Sequence, residues 1–148
     1  MMIGKPLIYV SAPLFNLGER NFNMQLRETL LPYANVYLPQ LDGSLLVDAI
    51  ASGIPYPAAA ERVFTADTSS IARCDALLIV LNGRSVDEGA AFELGVAWSL
   101  GKTCVGYKDD ARQLLAVGDN PMIIQALKTI FRTLDEIAIW ARSLPADE

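Results

Sequence analysis

The sequence predicts an α/β protein: a doubly wound parallel sheet of five strands with helices on both faces. Three observations predict it. Short apolar runs rich in β-formers alternate with helical stretches along the whole chain, the pattern of strands joined by crossover helices. One run, A-L-L-I-V-L at 76–81, is continuously apolar, as a central parallel strand covered on both faces must be. Finally, 148 residues at 52% hydrophobic content supply one sizeable core but not two, and no repeat or low-complexity linker divides them. A single domain over 1–148 is expected.

Taken in order, residues 6–12 (P-L-I-Y-V-S-A) form a first buried strand, and the loop after Pro13 carries Phe15 and Asn16. Phe22, Met24, Leu26, Leu30 and Leu31 give 19–31 a moderately amphipathic helix closed by Pro32. Residues 36–38 are a second short strand, followed by a polar turn at 39–43 that includes Gln40. Ser44 is placed to cap a short helix through Ala51, broken by Gly53 and Pro55. A longer helix, 57–73, has an apolar side marked by Val63, Phe64, Ile71 and Cys74, with Asp67 embedded in it. The 76–81 strand leads through the 82–88 loop into a helix ended by Gly101 and Lys102. Residues 103–107 give a fourth strand, 108–119 an irregular segment, 122–127 a helical piece after Asn120 and Pro121, and 129–131 a last strand. T-L-D-E at 133–136 is a capping box for a terminal helix with Ile137, Ile139 and Trp140 turned inward. Ligands of such sheets sit at the carboxyl ends of the strands, where residues 9–16, Gln40 and the 82–88 loop would gather.

Composition removes several kinds of chemistry. There is no histidine, which excludes Ser-His-Asp and Cys-His catalysis and most zinc sites. Cys74 and Cys104 are too far apart for a metal-binding C-x-x-C and read as small core residues. A net charge of −5 with scattered basic residues argues against a nucleic acid polymer as partner. No apolar run approaches the roughly 20 residues a bilayer requires, and M-M-I-G-K lacks the pattern of a secretory leader. A cytoplasmic protein without membrane association is expected, and the high apolar content favours a homo-oligomer.

Against that background the stretch D-E-G-A-A-F-E-L-G at 87–95 stands out. It opens a helix that is small-sided and apolar from Gly89 to Leu100 except for Glu93, whose neighbours three and four positions away are Gly89, Ala90, Val96 and Ala97. Burying an ionised carboxylate without partners costs several kcal/mol, so the position calls for a shifted pKa or a compensating site. Alone, Glu93 or Asp67 would be a paired buried acid, Asp87 a helix N-cap, Tyr9 and Phe15 packing, Asn120 a cap before Pro121, and Gln40 a loop residue. No G-x-G-x-x-G or G-K-[ST] phosphate cradle occurs. What converges is a set of carboxylates, Asp67, Asp87 and Glu93, with Tyr9 as a hydroxyl partner. A carboxylate nucleophile with a carboxyl proton donor is the machinery for breaking a glycosidic bond.

These residues carry a resemblance. The 87–95 segment, an aspartate 26 residues before Glu93, and the early I-Y-V-S-A-P-L-F-N together resemble the nucleoside 2-deoxyribosyltransferase family over roughly residues 8–131. The resemblance implies a flavodoxin-like sheet, no cofactor, and transfer of 2-deoxyribose between purine or pyrimidine bases in nucleotide salvage. It implies Glu93 as the nucleophile at C1′, with Tyr9 orienting it. Asp87 would hold sugar hydroxyls and Asp67 would meet the base and assist its protonation. Asn120 would reach a neighbouring subunit's sugar in a dimer or trimer of dimers, while Phe15 and Gln40 would contact the base. Deoxynucleosides and free nucleobases would be the partners, and water would give a side hydrolase activity. Some members end in a tail that enters the site; this chain ends A-R-S-L-P-A-D-E, leaving one wall of the base pocket unassigned.

Two other readings remain at this point. A 2′-deoxynucleoside 5′-phosphate N-hydrolase shares the resemblance but needs a phosphate site for which S-A-P-L-F-N offers little. A non-catalytic nucleoside-binding regulatory module would keep the fold but has little use for three buried carboxylates.

Overall fold

A computed structural model describes residues 4–145. Met1, Met2 and Ile3 of the M-M-I-G-K start, and Ala146, Asp147 and Glu148 of the A-R-S-L-P-A-D-E end, lie outside the described residues. Five strands, β1 (Leu7–Ser11), β2 (Asn35–Tyr37), β3 (Ala76–Val80), β4 (Thr103–Tyr107) and β5 (Ile130–Phe131), form one all-parallel sheet in the order β2-β1-β3-β4-β5. This is the flavodoxin-like order, in which the winding reverses between β1 and β3 and opens a crevice at their carboxyl ends.

The period of two along each strand divides the core. Ile8, Val10, Ala76, Leu78 and Val80 pack with Leu26 and Leu30 of α1 (Leu17–Leu30) and Ile137 and Ala141 of α7 (Leu134–Arg142). Tyr9, Leu77, Ile79 and Leu81 turn the other way, toward Ile71 of α4 (Tyr56–Arg73) and Ala90, Leu94 and Ala97 of α5 (Glu88–Ser99). Cys74 and Cys104 are buried in this second layer as free thiols. Every residue of β3 is buried, which is why that strand reads as an unbroken apolar run. Fully burying each such Leu or Ile contributes about 1.5–3 kcal/mol. The packing is close at Gly106 of β4, where a Cβ would come within 2.9 Å of the Leu127 and Leu81 side-chain ends.

Several elements differ from the sequence expectation for local reasons. Helix α1 starts two residues early because Asn16 caps it, accepting from the Glu19 amide while the Glu19 carboxylate accepts from the Asn16 and Phe15 amides. The 39–43 turn is a single helical turn, α2 (Pro39–Asp42), which Pro39 starts and whose Asp42 carboxylate accepts from the Leu38 amide. Ser44 does not cap α3 (Leu46–Ala51): the cap position is Leu45, with no side-chain bond. Helix α6 is shorter than expected (Pro121–Ile124), since the chain must return to the sheet where the Lys128 amide bonds the Cys104 carbonyl. On α7, Ile137 is buried and Trp140 packs on Phe131, but Ile139 faces solvent, about 200° round the helix from Ile137. Among the described residues no helix is long and apolar enough to cross a membrane.

Candidate active site

Tyr9 and Ser11 are two apart on β1, so both side chains enter the α4/α5 layer at the strand's carboxyl end, and both residues are fully buried. Helix α5 begins beside them and carries Glu93 on the turn that faces β1. The Tyr9 phenol donates to Glu93 Oε1 at 2.8 Å and the Ser11 hydroxyl donates to Oε2 at 2.5 Å. Both carboxylate oxygens are therefore held by hydroxyls, fixing the plane of the group. The Ser11 Oγ also lies 3.4 Å from the Ala90 carbonyl.

Burial pushes the Glu93 carboxyl up from 4.5 to about 7; the Ser11 and Tyr9 hydrogen bonds oppose that rise, and the negative charges of Asp67 and Asp87 add to it. A group near neutrality is present both as carboxylate and as acid at physiological pH. The Tyr9 phenol is raised strongly, first by burial and then by the Glu93 and Asp67 charges, so it remains a hydrogen-bond donor.

Asp67 comes from α4 to the same place. It lines a groove of about 260 Å³ with Glu93, Gly89, Phe64 and Phe92. Burial raises its pKa, opposed by the Tyr37 hydroxyl, which donates to Oδ1 at 3.3 Å. The end of α2 passes close by: a Cβ on Gly43 would stand 2.7 Å from the Pro39 carbonyl and 3.2 Å from both Asp67 Oδ1 and the Tyr37 hydroxyl. Phe64 is not part of the core as its helical position suggested. It is 57% exposed and meets Phe92, 54% exposed, with ring centroids 5.9 Å apart at the rim of the groove.

Asp87 caps α5, accepting from the Ala90 amide at 2.9 Å. It also lines a separate, more polar cavity of about 490 Å³ with Phe15, Asn23, Asn82, Ser85 and Arg112. The amino end of α5 thus stands between a polar cavity on the Asp87 side and an aromatic groove on the Asp67 side. Of the small residues in 87–95, only Gly89 lines that groove; Ala90 packs in the core and Gly95 faces a different surface beside Trp98.

The structure brings Tyr9, Glu93 and Asp67 together, with Asp87 at the adjoining helix end. Phe15 reaches only the polar cavity. Gln40 is committed to the framework, its amide accepting from Asn23 and donating to the Arg20 carbonyl. Asn120 caps α6 through the Met122 amide and borders a small depression with Ser85 and Asp119, away from Glu93. Two residues escape the sequence reading. Ser11 was findable from the strand period counted from Tyr9, but Tyr37 is placed by strand register, which pairs it with Tyr9.

The sequence matches the family model described as nucleoside 2-deoxyribosyltransferase over residues 8–131. This chain belongs to that family. A comparison with curated proteins finds no match. Among solved structures it is similar to a conserved protein from Enterococcus faecalis V583, with TM-score 0.78, 21% identity, and coverage of 93% of this chain and 98% of that one. It is also similar to a 2-deoxyribosyltransferase from the psychrotolerant bacterium Bacillus psychrosaccharolyticus, with TM-score 0.71, 20% identity, and coverage of 89% and 90%. At these identities the likenesses establish the fold.

Proposed function

We propose that this protein is a cofactor-independent nucleoside 2-deoxyribosyltransferase that exchanges purine or pyrimidine bases through a covalent deoxyribosyl ester on Glu93. The observation that carries the reading is the Glu93 carboxylate, held at both oxygens by Tyr9 and Ser11 at the carboxyl end of β1. In the first displacement a Glu93 oxygen bonds C1′ and the C1′–N bond breaks. Its electron pair goes to the base nitrogen, and a proton from Asp67 neutralises the departing base. In the second, a nitrogen of the incoming base bonds C1′ and the ester C1′–O bond breaks. Its electron pair returns to Glu93, and Asp67 takes the proton the new base releases. Two inversions at one carbon retain the configuration.

Electrostatics favour this division of labour. Positive charge develops on the sugar ring as the base leaves, and the adjacent carboxylate stabilises it. Asp67, its pKa raised by burial, keeps a larger protonated share for the base than an exposed aspartate would. The surroundings also match the two halves of a nucleoside. The sugar hydroxyls face the polar cavity at Asp87, and the flat base lies in the groove walled by Phe64 and Phe92. Phe15, at the mouth of the polar cavity, and Gln40 are the further substrate contacts in this reading.

The protein works as a homo-oligomer in this reading. An apolar groove of about 320 Å³ runs between α5 and α6, lined by Gly95, Trp98, Met122 and Ile123, and Met122 stands 80% exposed. A second copy seated there would lie beside Asn120, which would reach that copy's sugar.

The test is to incubate the protein with deoxyinosine and a panel of free bases and to follow new deoxynucleosides. New β-deoxynucleosides from the wild type, and none from a folded Glu93→Ala variant, are expected. Release of free deoxyribose with no exchange would make the enzyme a hydrolase. Binding without turnover would make it a nucleoside-binding module. Exchange at near-normal rate in Glu93→Ala would remove Glu93 from the reaction.

A further inference from the structure

The two hydroxyls on Glu93 are not equivalent. The Tyr9 hydroxyl has Glu93 Oε1 as its acceptor, whereas the Ser11 hydroxyl has two acceptors within reach, Glu93 Oε2 at 2.5 Å and the Ala90 carbonyl at 3.4 Å. Forming a sugar ester changes the two oxygens differently. The one that bonds C1′ becomes a single-bonded ester oxygen, a poor acceptor, and the other becomes a carbonyl oxygen and remains a good one. A buried hydroxyl that loses its acceptor with no replacement carries a desolvation cost. Ser11 can turn to Ala90; for Tyr9 the carbonyl oxygen must stay in place.

We propose that Ser11 selects the attacking oxygen: Oε2 of Glu93 bonds the sugar while the Ser11 hydroxyl turns to the Ala90 carbonyl, and Oε1 stays on Tyr9 as the ester carbonyl. This rests on the transferase reading. As C1′–Oε2 forms, the C1′–N bond breaks, its electron pair goes to the base nitrogen, and Asp67 supplies the proton. Ser11 keeps its own proton and only rotates its O–H bond. In the second displacement the C1′–Oε2 pair returns to Oε2, and the Ser11 hydroxyl swings back to meet the re-formed charge. Ser11 is thus a positioning residue that makes Glu93 a better leaving group in the second step.

The groups that bear on the Glu93 charge are Tyr9 and Ser11 from β1, Asp67 from α4 and Asp87 at the start of α5, with Tyr37 of β2 stacked behind Tyr9. The named charged groups are all acidic, so the hydroxyls are what favour the ionised form. Removing the Ser11 donor therefore moves the Glu93 titration upward.

Two measurements test this in Ser11→Ala, with Ser11→Thr restoring a hydroxyl. The carboxyl ¹³C titration of Glu93 in glutamate-labelled protein, assigned with Glu93→Gln, should rise by about one pH unit in Ser11→Ala and return in Ser11→Thr. Intact-mass analysis after mixing with deoxyinosine and an acceptor base should show several-fold more covalent deoxyribosyl protein in Ser11→Ala than in wild type. Ser11→Cys, nearly isosteric with a weak donor, should shift both in the same direction if alanine compromises folding. A wild type that neither exchanges bases nor forms the adduct overturns the transferase reading and the attack by Oε2 with it. Exchange by the wild type, together with an unmoved Glu93 midpoint or no excess adduct in these variants, overturns the role of Ser11 alone.

Discussion

Tyr9 and Tyr37 stand in register on adjacent strands and stack, with ring centroids 5.2 Å apart and planes 17° from parallel. Each phenol ends on a different carboxylate, Tyr9 on Glu93 and Tyr37 on Asp67. One aromatic pair therefore fixes the separation of the two acids, and such a pair contributes about 0.5–1.5 kcal/mol beyond the area it buries. The sheet sets the distance between proposed nucleophile and proposed proton donor.

Tyr37→Phe separates the stack from the hydrogen bond. The ring remains, but Asp67 loses the bond that lowers its pKa, so its pKa rises further. Because base departure uses protonated Asp67, the high-pH limb of the exchange rate should move upward. Stability should change by only about 1 kcal/mol, the net worth of one hydrogen bond. A pH–rate profile and a thermal melt check this, and a limb that stays in place would detach Tyr37 from Asp67.

Glu93→Gln should abolish exchange and yet stabilise the fold at alkaline pH. The folded pKa of about 7 lies above the ordinary 4.5, so the folded protein keeps a proton that the unfolded chain releases. The sign follows: stability is unaffected by this group below about pH 4.5 and falls as pH rises toward 7, by an amount on the order of 2–3 kcal/mol. Denaturant melts at pH 4 and pH 8 should converge in Glu93→Gln compared with wild type. An unchanged gap between them would mean that burial does not raise this carboxyl.

Glu93 was legible in the sequence because a charge on an apolar helix face violates helix patterning, and Asp67 for the same reason on α4. The strands were legible where burial on both faces removes polar residues, as in β3. What sequence could not supply was how elements meet. Phe64 shares the α4 face with Val63 and Asp67 but lines the groove and not the core, and apolar residues that line a groove look the same in sequence as those that line a core. Ser11 and Tyr37 matter only through the β1 face and the β1–β2 register, which depend on pairing between distant segments. Gln40 bonds Asn23 and the Arg20 carbonyl, contacts that depend on how α2 meets α1 and that no local pattern shows.

Phe64 and Phe92 offer a direct probe of the base-binding side. Both are large aromatics left more than half exposed, so Phe64→Ala and Phe92→Ala should leave the melting temperature nearly unchanged. If the base lies against them, each substitution should weaken adenine binding by roughly tenfold, the scale of aromatic–base stacking. Titration calorimetry with free adenine reads this without depending on turnover. Binding within twofold of wild type in both variants would place the base elsewhere.

The α5/α6 surface makes the strongest demand on the oligomer reading. Trp98 is 62% exposed beside Met122, and a Cβ added to Gly95 meets nothing within 4 Å, so the patch presents an open apolar face. Trp98→Glu should lower the mass by sedimentation to that of a monomer while leaving the fold intact, because no core contact is lost. If Asn120 then completes the site of the neighbouring copy, Glu93→Ala and Asn120→Ala should each lose activity alone and regain part of it when mixed and allowed to exchange subunits. In a dimer mixed at random, about a quarter of the sites would hold an intact Glu93 and receive an intact Asn120 from the partner. Recovery near that level requires a shared site. An assembly that forms through this surface but shows no complementation would confine Asn120 to capping α6.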